Sequence, residues 1–262
     1  MKQITNPARS DGMFAQYQTI ICAALFSSLN NLEFVYTPFN KIEHNYNNDP
    51  EFNEKMENLI NFKNNFKQDH SGLQAKQQNI LPIQALISFF ELNINQCLKD
   101  PMFLKIKELF YLNKKNPFND KQKKQERDQD LNIAIHIRRN NEVDNKCGDT
   151  NLQQRYLPDD VFVSIIKHFI TLYGSSVRGL HIHIYSQGPP ENFKVFQDID
   201  PRVLLHLDED LSETFISLVF ANILVISPSS MSYVAGLLSN GSVYGLSFWH
   251  KFPGHWTSIH YK

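Results

Sequence analysis

Cysteine is nearly absent from this chain. Its three copies, Cys22, Cys97 and Cys147, are odd in number and far apart, and no Cys-x-x-Cys pair occurs. That spacing argues against a disulfide framework and a thiolate zinc site, and leaves three free thiols suited to a reducing compartment. Long apolar runs are missing too. No stretch reaches the roughly 18 residues that span a bilayer. The apolar segment at 19–26 is short and is flanked by Gln16, Gln18, Ser27 and Ser28. The stretch from Met1 to Asp11 is polar and has no signal-peptide core. A soluble, cytoplasmic protein with no integral membrane segment is expected. A secretory-lumen enzyme clipped from its anchor would read the same. Nor is there an excess of one charge: 26 Lys and Arg stand against 27 Asp and Glu, a formal net of -1. No global basic field exists to recruit nucleic acid or an anionic membrane, so any anion site must be local. Glycine is scarce, and no internal repeat is visible.

What the chain does have is apolar mass. Apolar residues make up 42% and charged residues 20%, and Phe alone occurs 20 times. That supports a sizeable core, in one large domain or two modest ones, and argues against global disorder. In the first half, 13–29 reads as a helix ended by Asn30-Asn31, and 32–36 as a short strand broken by Thr37-Pro38-Phe39. A polar loop carrying His44 follows, then a surface helix at 51–66 and a polar loop at 67–79. Residues 80–92 fit either a strand or a helix, and 102–112 read as a helix after Pro101. The charged run from Asn113 to Asp130, around Lys121, Lys123, Lys124 and Arg127, reads as a solvated linker or a frayed helix. It places the boundary between a first half at 1–128 and a second at 129–262.

The second half alternates. Strands at 131–137, 179–185, 203–206, 223–226 and 242–246 are separated by helical stretches at 158–173, 191–196, 211–221 and 230–239. In the first of these helices Val161, Phe162, Ile165, Ile166, Phe169, Ile170 and Tyr173 recur at helical spacing. Asp159 and Asp160 suit its first turn. Strands separated by helices imply parallel βα units and an α/β fold.

Three strand ends carry candidate chemistry. In Ile135-His136-Ile137-Arg138-Arg139, alternation puts His136 and Arg138 on one face and the isoleucines on the other. Ligands of open α/β sheets bind beyond the carboxyl ends of strands. Guanidinium forks there match phosphate oxygens, although the arginines could equally pair with surface carboxylates. Tyr185-Ser186-Gln187-Gly188-Pro189-Pro190 ends the next strand. Ser186 and Gln187 could hydrogen-bond a ligand, or the segment is an ordinary turn. Ser227-Pro228-Ser229-Ser230 follows a strand and opens a helix. A helix N-terminus is a ready anion site, and Ser229 could also simply cap it. His181 and His183 share a strand face as a possible metal pair, or as a satisfied core pair. Trp249-His250 and His255-Trp256 could stack on a sugar or base, or pack the chain end. His44 could face an acceptor or only solvent.

At these residues the chain resembles the GDP-fucose-using fucosyltransferases of the GT-B type, whose α1,2, α1,6 and protein O-fucosyl groups carry His-x-Arg-Arg. The order Tyr-Ser-Gln, Glu213-Thr214-Phe215, strand and Ser-Ser matches as well, and Gly12-Met-Phe-Ala-Gln16-Tyr17 is similar to that family's first glycine loop. The resemblance covers most of the chain and is specific at 133–139 and 213–235. It implies a GT-B-like α/β fold with parallel sheets, two Rossmann-like halves facing a cleft. The acceptor side would be the first half, with Gly12, Gln16 and His44. The second would bind the donor through His136, Arg138, Arg139, Ser186, Gln187, Glu213, Thr214, Ser229 and Ser230. Arg138 would grip the β-phosphate, Arg139 the loop or the other phosphate, and His136 would line the guanosine pocket. The activity implied is inverting transfer of L-fucose to a glycan hydroxyl. No cofactor or metal is expected, and no Asp-x-Asp metal motif. Many relatives place Gly-Asp or Thr-Asp after the arginines; here Asn140-Asn141 stand instead. The base must then come from Glu142, Asp144 or Asp149, with Asp144 favoured in its Asn-x-Lys-x-Gly setting and Glu142 beside it. The missing carboxylate also suits a degenerate, non-catalytic binder of nucleotide or glycan. A transferase using another sugar nucleotide would keep the same phosphate logic.

Overall fold

The computed structural model describes residues 2–43, 45, 48–69, 80–119, 130–139, 155–177, 179–246 and 248–260. The chain forms two compact units: Met1–Lys114 with His250–Gly254, and Lys115–Trp249 with His255–Lys262. The sequence places the division at 128/129. The structure divides the chain earlier, and it returns 250–254 to the first unit.

The first unit begins as a βαβ element. Strands β1 (Gln3–Thr5) and β2 (Glu33–Val35) pair in parallel, Ile4 beside Phe34. Helix α1 (Met13–Leu29) connects them and is buried on nearly every side. Apolar and small residues surround it all round, which is the pattern of a core helix rather than a surface one. Asn31 then turns the chain with φ 54, a conformation Asn tolerates. Helices α2 (Phe52–Ile60), α3 (Ile83–Leu92), α4 (Ile94–Cys97) and α5 (Pro101–Tyr111) follow. The single surface helix expected at 51–66 stops at Ile60, because Asn61 is left-handed at φ 58. The ambiguous segment at 80–92 is helical. Asp100 caps α5, its carboxylate accepting from Met102 N–H at 2.8 Å and from the Ser28 hydroxyl at 2.8 Å. Among the described residues of this unit β1 and β2 form a two-stranded parallel sheet. Burial pushes the Cys97 thiol up to about 11 and Cys22 higher still, so both are inert.

The returning segment is tied down by His250. Its Nδ1 lies 2.8 Å from a Glu91 carboxylate oxygen, and the Gln18 amide nitrogen lies 3.2 Å from its Nε2. No local sequence signal announces this return.

The second unit is a six-stranded parallel sheet: β3 (Asp130–His136), β4 (Gly179–Ser186), β5 (Val203–Leu207), β6 (Ile223–Ile226), β7 (Ser242–Leu246) and β8 (Thr257–Ile259). The spatial order is β5-β4-β3-β6-β7-β8. Taken within the unit this is the doubly wound order, in which the direction of winding reverses between the first and fourth strands. Helices α6 (Asp159–Tyr173) and α7 (Lys194–Gln197) cover one face. Ile133, Ile135 and Ile137 pack there against Val161, Phe162, Ile166, Phe169 and Phe196. Helices α8 (Leu211–Phe220) and α9 (Ser230–Leu238) contact β3 and β6 and lie outside that cluster. Gly236 in α9 is required by packing: a Cβ there would meet the Trp256 ring at 2.7 Å. Trp256 is buried and in edge contact with Tyr233, which decides its reading in favour of packing. No helix among the described residues is long and apolar enough to cross a membrane.

Candidate functional site

The winding reverses between β3 and β6, which pair directly, Ile135 beside Val225. Two of the three segments singled out in the sequence, His136 to Arg139 and Ser227 to Ser230, are the carboxyl ends of these two strands. Ser227 joins them. Its hydroxyl donates to the His136 carbonyl and accepts from the Arg138 backbone N–H at 3.2 Å. Ser232 closes the turn from inside α9, its hydroxyl donating to the Ser227 carbonyl at 3.1 Å. The spacing of the motif found Ser229 and Ser230. Ser227 and Ser232 it missed, because their partners lie far along the chain or are backbone groups.

The turn delivers the N-terminus of α9. Ser229 is extended at φ -152 and its oxygen accepts from Met231 N–H at 3.3 Å. Ser230, half-buried, occupies the first helical position. No acidic residue stands in the first turn, so the positive end of the helix dipole is not neutralised there. Helix α8 differs. Asp210 caps it, accepting from Ser212 N–H at 2.9 Å and Glu213 N–H at 3.2 Å. Asp208, Glu209 and Glu213 surround that end, which therefore repels phosphate. Glu213 is exposed and Thr214 half-buried in α8's first turn.

His136 is buried, and its Nδ1 has no hydrogen-bond partner. Burial, then the nearby Arg138 charge, push its pKa down to about 3, so the ring is neutral at physiological pH. The Arg138 side chain is half-buried beside it. Arg139 turns away. It pairs with Asp159 at the start of α6, lies 4.8 Å over the Tyr156 ring and 5.5 Å over Phe193, and reaches the Leu157 carbonyl at 3.5 Å. Of the two roles expected for Arg139, the geometry fits loop support rather than a phosphate contact.

Other expected ligand groups are engaged internally. The Ser186 hydroxyl donates to the Ile137 carbonyl at 2.8 Å and is buried, so it latches two strands instead of facing a ligand. Gln187, half-buried, precedes Gly188, whose φ of 118 requires glycine and whose N–H donates to Asp208 at 3.2 Å. In the first unit, Gly12 is the N-cap of α1. The buried Gln16 amide donates to the Asp11 carbonyl at 2.7 Å and the Lys41 carbonyl at 2.8 Å. Gln16 stitches two loop segments and offers no amide N–H to an acceptor. His44, Glu142, Asp144 and Asp149 lie outside the described residues.

His183 is satisfied by hydrogen bonds: Nδ1 is 3.0 Å from His206 Nε2, and Nε2 is 3.2 Å from the Asn132 side-chain oxygen. His206 in turn meets Glu209 at 2.8 Å, and Tyr185 stacks on it at 4.6 Å. The core reading fits His183 alone: His181 is part-exposed, its Nε2 3.5 Å from an Asp130 carboxylate oxygen, and no cluster of three or more His, Cys, Asp or Glu that could hold a metal occurs among the described residues. The expected lack of Asp-x-Asp is incorrect, since Asp128-Gln129-Asp130, Asp198-Ile199-Asp200 and Asp208-Glu209-Asp210 all occur. Asp200 is held by Arg202 at 2.7 Å, and Asp208 and Asp210 bind backbone N–H groups.

Of the aromatic residues near the chain end that could stack on a sugar or base, Trp249 is exposed, and the part played by Arg155 beside it was not foreseen. Trp249 is 47% exposed, and the Arg155 guanidinium lies 5.2 Å over its ring. Phe248 makes an edge contact with Tyr233 of α9 at 5.9 Å. A run of neighbours links the two strand ends: Arg139 lies over Tyr156, next in the chain to Arg155, which lies over Trp249; Trp249 meets Phe248, Phe248 meets Tyr233, and Tyr233 N–H donates to the Ser229 carbonyl.

No protein-family model and no curated protein matches the sequence. Among solved structures the chain is similar to the NodZ alpha-1,6-fucosyltransferase soaked with GDP-fucose, at 10% identity over 91% of this chain and 92% of that one, TM-score 0.41. It is similar to the E. coli heptosyltransferase WaaC with ADP-2-deoxy-2-fluoro heptose, at 10% identity over 99% and 93%, TM-score 0.44. It is also similar to a glycosyl transferase family 9 protein of Veillonella parvula, at 11% identity over 98% and 86%, TM-score 0.41. All three are glycosyltransferases. Likenesses at these scores do not identify a substrate, and the site's own geometry carries the functional reading.

Proposed function

We propose that this chain is a glycosyltransferase that moves L-fucose from GDP-fucose to a glycan hydroxyl, with inversion and without a metal. One observation carries the reading. At the switch point Ser227 ties the Arg138 backbone to the turn ahead of a helix whose first turn has no acidic residue, and a neutral histidine with an unpartnered Nδ1 ends the same strand. Such a switch point suits a diphosphate. Arg138 offsets the charge that grows on the β-phosphate as the bond from the sugar's anomeric carbon breaks and its electron pair leaves with GDP. Ser230 and the first N–H groups of α9 take the remaining phosphate oxygens. Neutral His136 offers a ring nitrogen to the nucleoside end. Asp144, with Glu142 beside it, takes the proton of the acceptor hydroxyl as the new glycosidic bond forms. The choice of guanosine and fucose comes from the motif resemblance.

The test is GDP release from GDP-fucose over a panel of glycan acceptors. Arg138→Ala is expected to cut turnover by roughly a hundredfold or more while the melting temperature stays put. Wild-type rates in that variant would remove Arg138 from the mechanism. Because Asn140-Asn141 replace the usual carboxylate, GDP binding without turnover on any acceptor would favour the non-catalytic alternative. Tighter binding of UDP or ADP than GDP would move the donor to another nucleotide.

A further inference from the structure

We infer that Arg155 is a third arginine of this site, resting on Trp249 until a diphosphate draws it in. The inference rests on reading the switch point as a diphosphate site. Among the described residues no carboxylate pairs with Arg155, and its Nε is buried with no acceptor. The neighbouring Arg139 is instead fully engaged by Asp159, the Leu157 carbonyl and two rings. Those contacts fix 156–159 beside the end of β3, and so hold Arg155 near it. There its guanidinium lies 5.2 Å over the half-exposed Trp249 ring. A buried donor without an acceptor is costly, and a cation over an exposed ring is held weakly. A charge-assisted bond to phosphate is stronger than either state it replaces. Arg155 can therefore leave the indole for an oxyanion, at little loss. His136 Nδ1, at the end of β3, is a second buried polar atom without a partner, which a bound ligand would also satisfy. Arg138 and Arg155 would then approach the diphosphate from opposite sides, from the end of β3 and from the segment ahead of α6.

Inorganic pyrophosphate is the probe, because it has no base to stack on Trp249. Calorimetry and tryptophan emission are measured on wild type, Arg155→Ala, Arg155→Lys and Arg138→Ala, with circular dichroism to confirm folding. Arg155→Ala is expected to weaken pyrophosphate and GDP alike by about tenfold or more, with partial recovery in Arg155→Lys. Pyrophosphate should change the emission of wild type, as the guanidinium leaves Trp249, and leave that of Arg155→Ala unchanged. Trp256, 7% exposed, is a constant background. Wild-type affinity in Arg155→Ala alongside weakened Arg138→Ala would overturn this inference and leave the diphosphate reading standing. Full affinity in Arg138→Ala, or no pyrophosphate binding by wild type, would overturn both.

Discussion

Arg138 and Arg139 are adjacent in sequence and divide the work. Arg139 is nearly buried, in contact with Asp159 and the rings of Tyr156 and Phe193. Arg139→Ala leaves a carboxylate and two rings without their cation, and is expected to destabilise the chain by about 1–3 kcal/mol. Its effect on GDP affinity should be secondary, following the loss of stability. Thermal melts beside calorimetry separate the two; a variant with normal melting and lost GDP binding would make Arg139 a phosphate ligand after all. At this scale the sequence was partly legible. Ser229 and Ser230 stand out because a capped helix start has a local signature. Ser227 and Arg155 do not, since what defines them is Arg138 and Trp249, each distant along the chain.

Elements explain why the second half was the readable one. A strand buried on both faces is a continuous apolar run, as in Ile133 to Ile135 and Ile223 to Ile226, and its helices show a clean period. The last strand, Thr257–Ile259, was not seen, because a short, largely exposed edge strand has no apolar pattern to read. The sheet also buries histidines, with a consequence for pH. Burial holds His136 and His183 at about 3, against 6.5 for an exposed imidazole. Folded rings stay neutral where unfolded ones protonate. Their contribution is therefore intact above about pH 6.5 and is lost as pH falls from there toward 3. The slope is about 1.4 kcal/mol per pH unit for each ring. His250 is also pushed down by burial, opposed by Glu91. Urea midpoints at pH 7.5, 6 and 5 should fall steadily, and His183→Gln should flatten the fall. A midpoint independent of pH across that range would contradict the burial assigned to these rings.

For the whole molecule, near-neutral charge made the decisive point early: an anion site had to be local. The structure shows a contrast between two helix ends, α8 capped by Asp210 and α9 by Ser229, and the proposed site uses the second. The domain plan was less legible. A charged linker marks itself by composition, and the sequence put the boundary there. The return of 250–254 to the first unit depends on His250 meeting Glu91 and Gln18, a pairing no window of sequence reveals.

The central claim concerns where a diphosphate sits, and a crystal of the protein soaked with GDP tests it directly. The expected density has both phosphates between the Arg138 guanidinium and the first turn of α9, within hydrogen-bond distance of Ser230. Phosphates bound at α8 or elsewhere on the surface, with Arg138 untouched, would contradict the account.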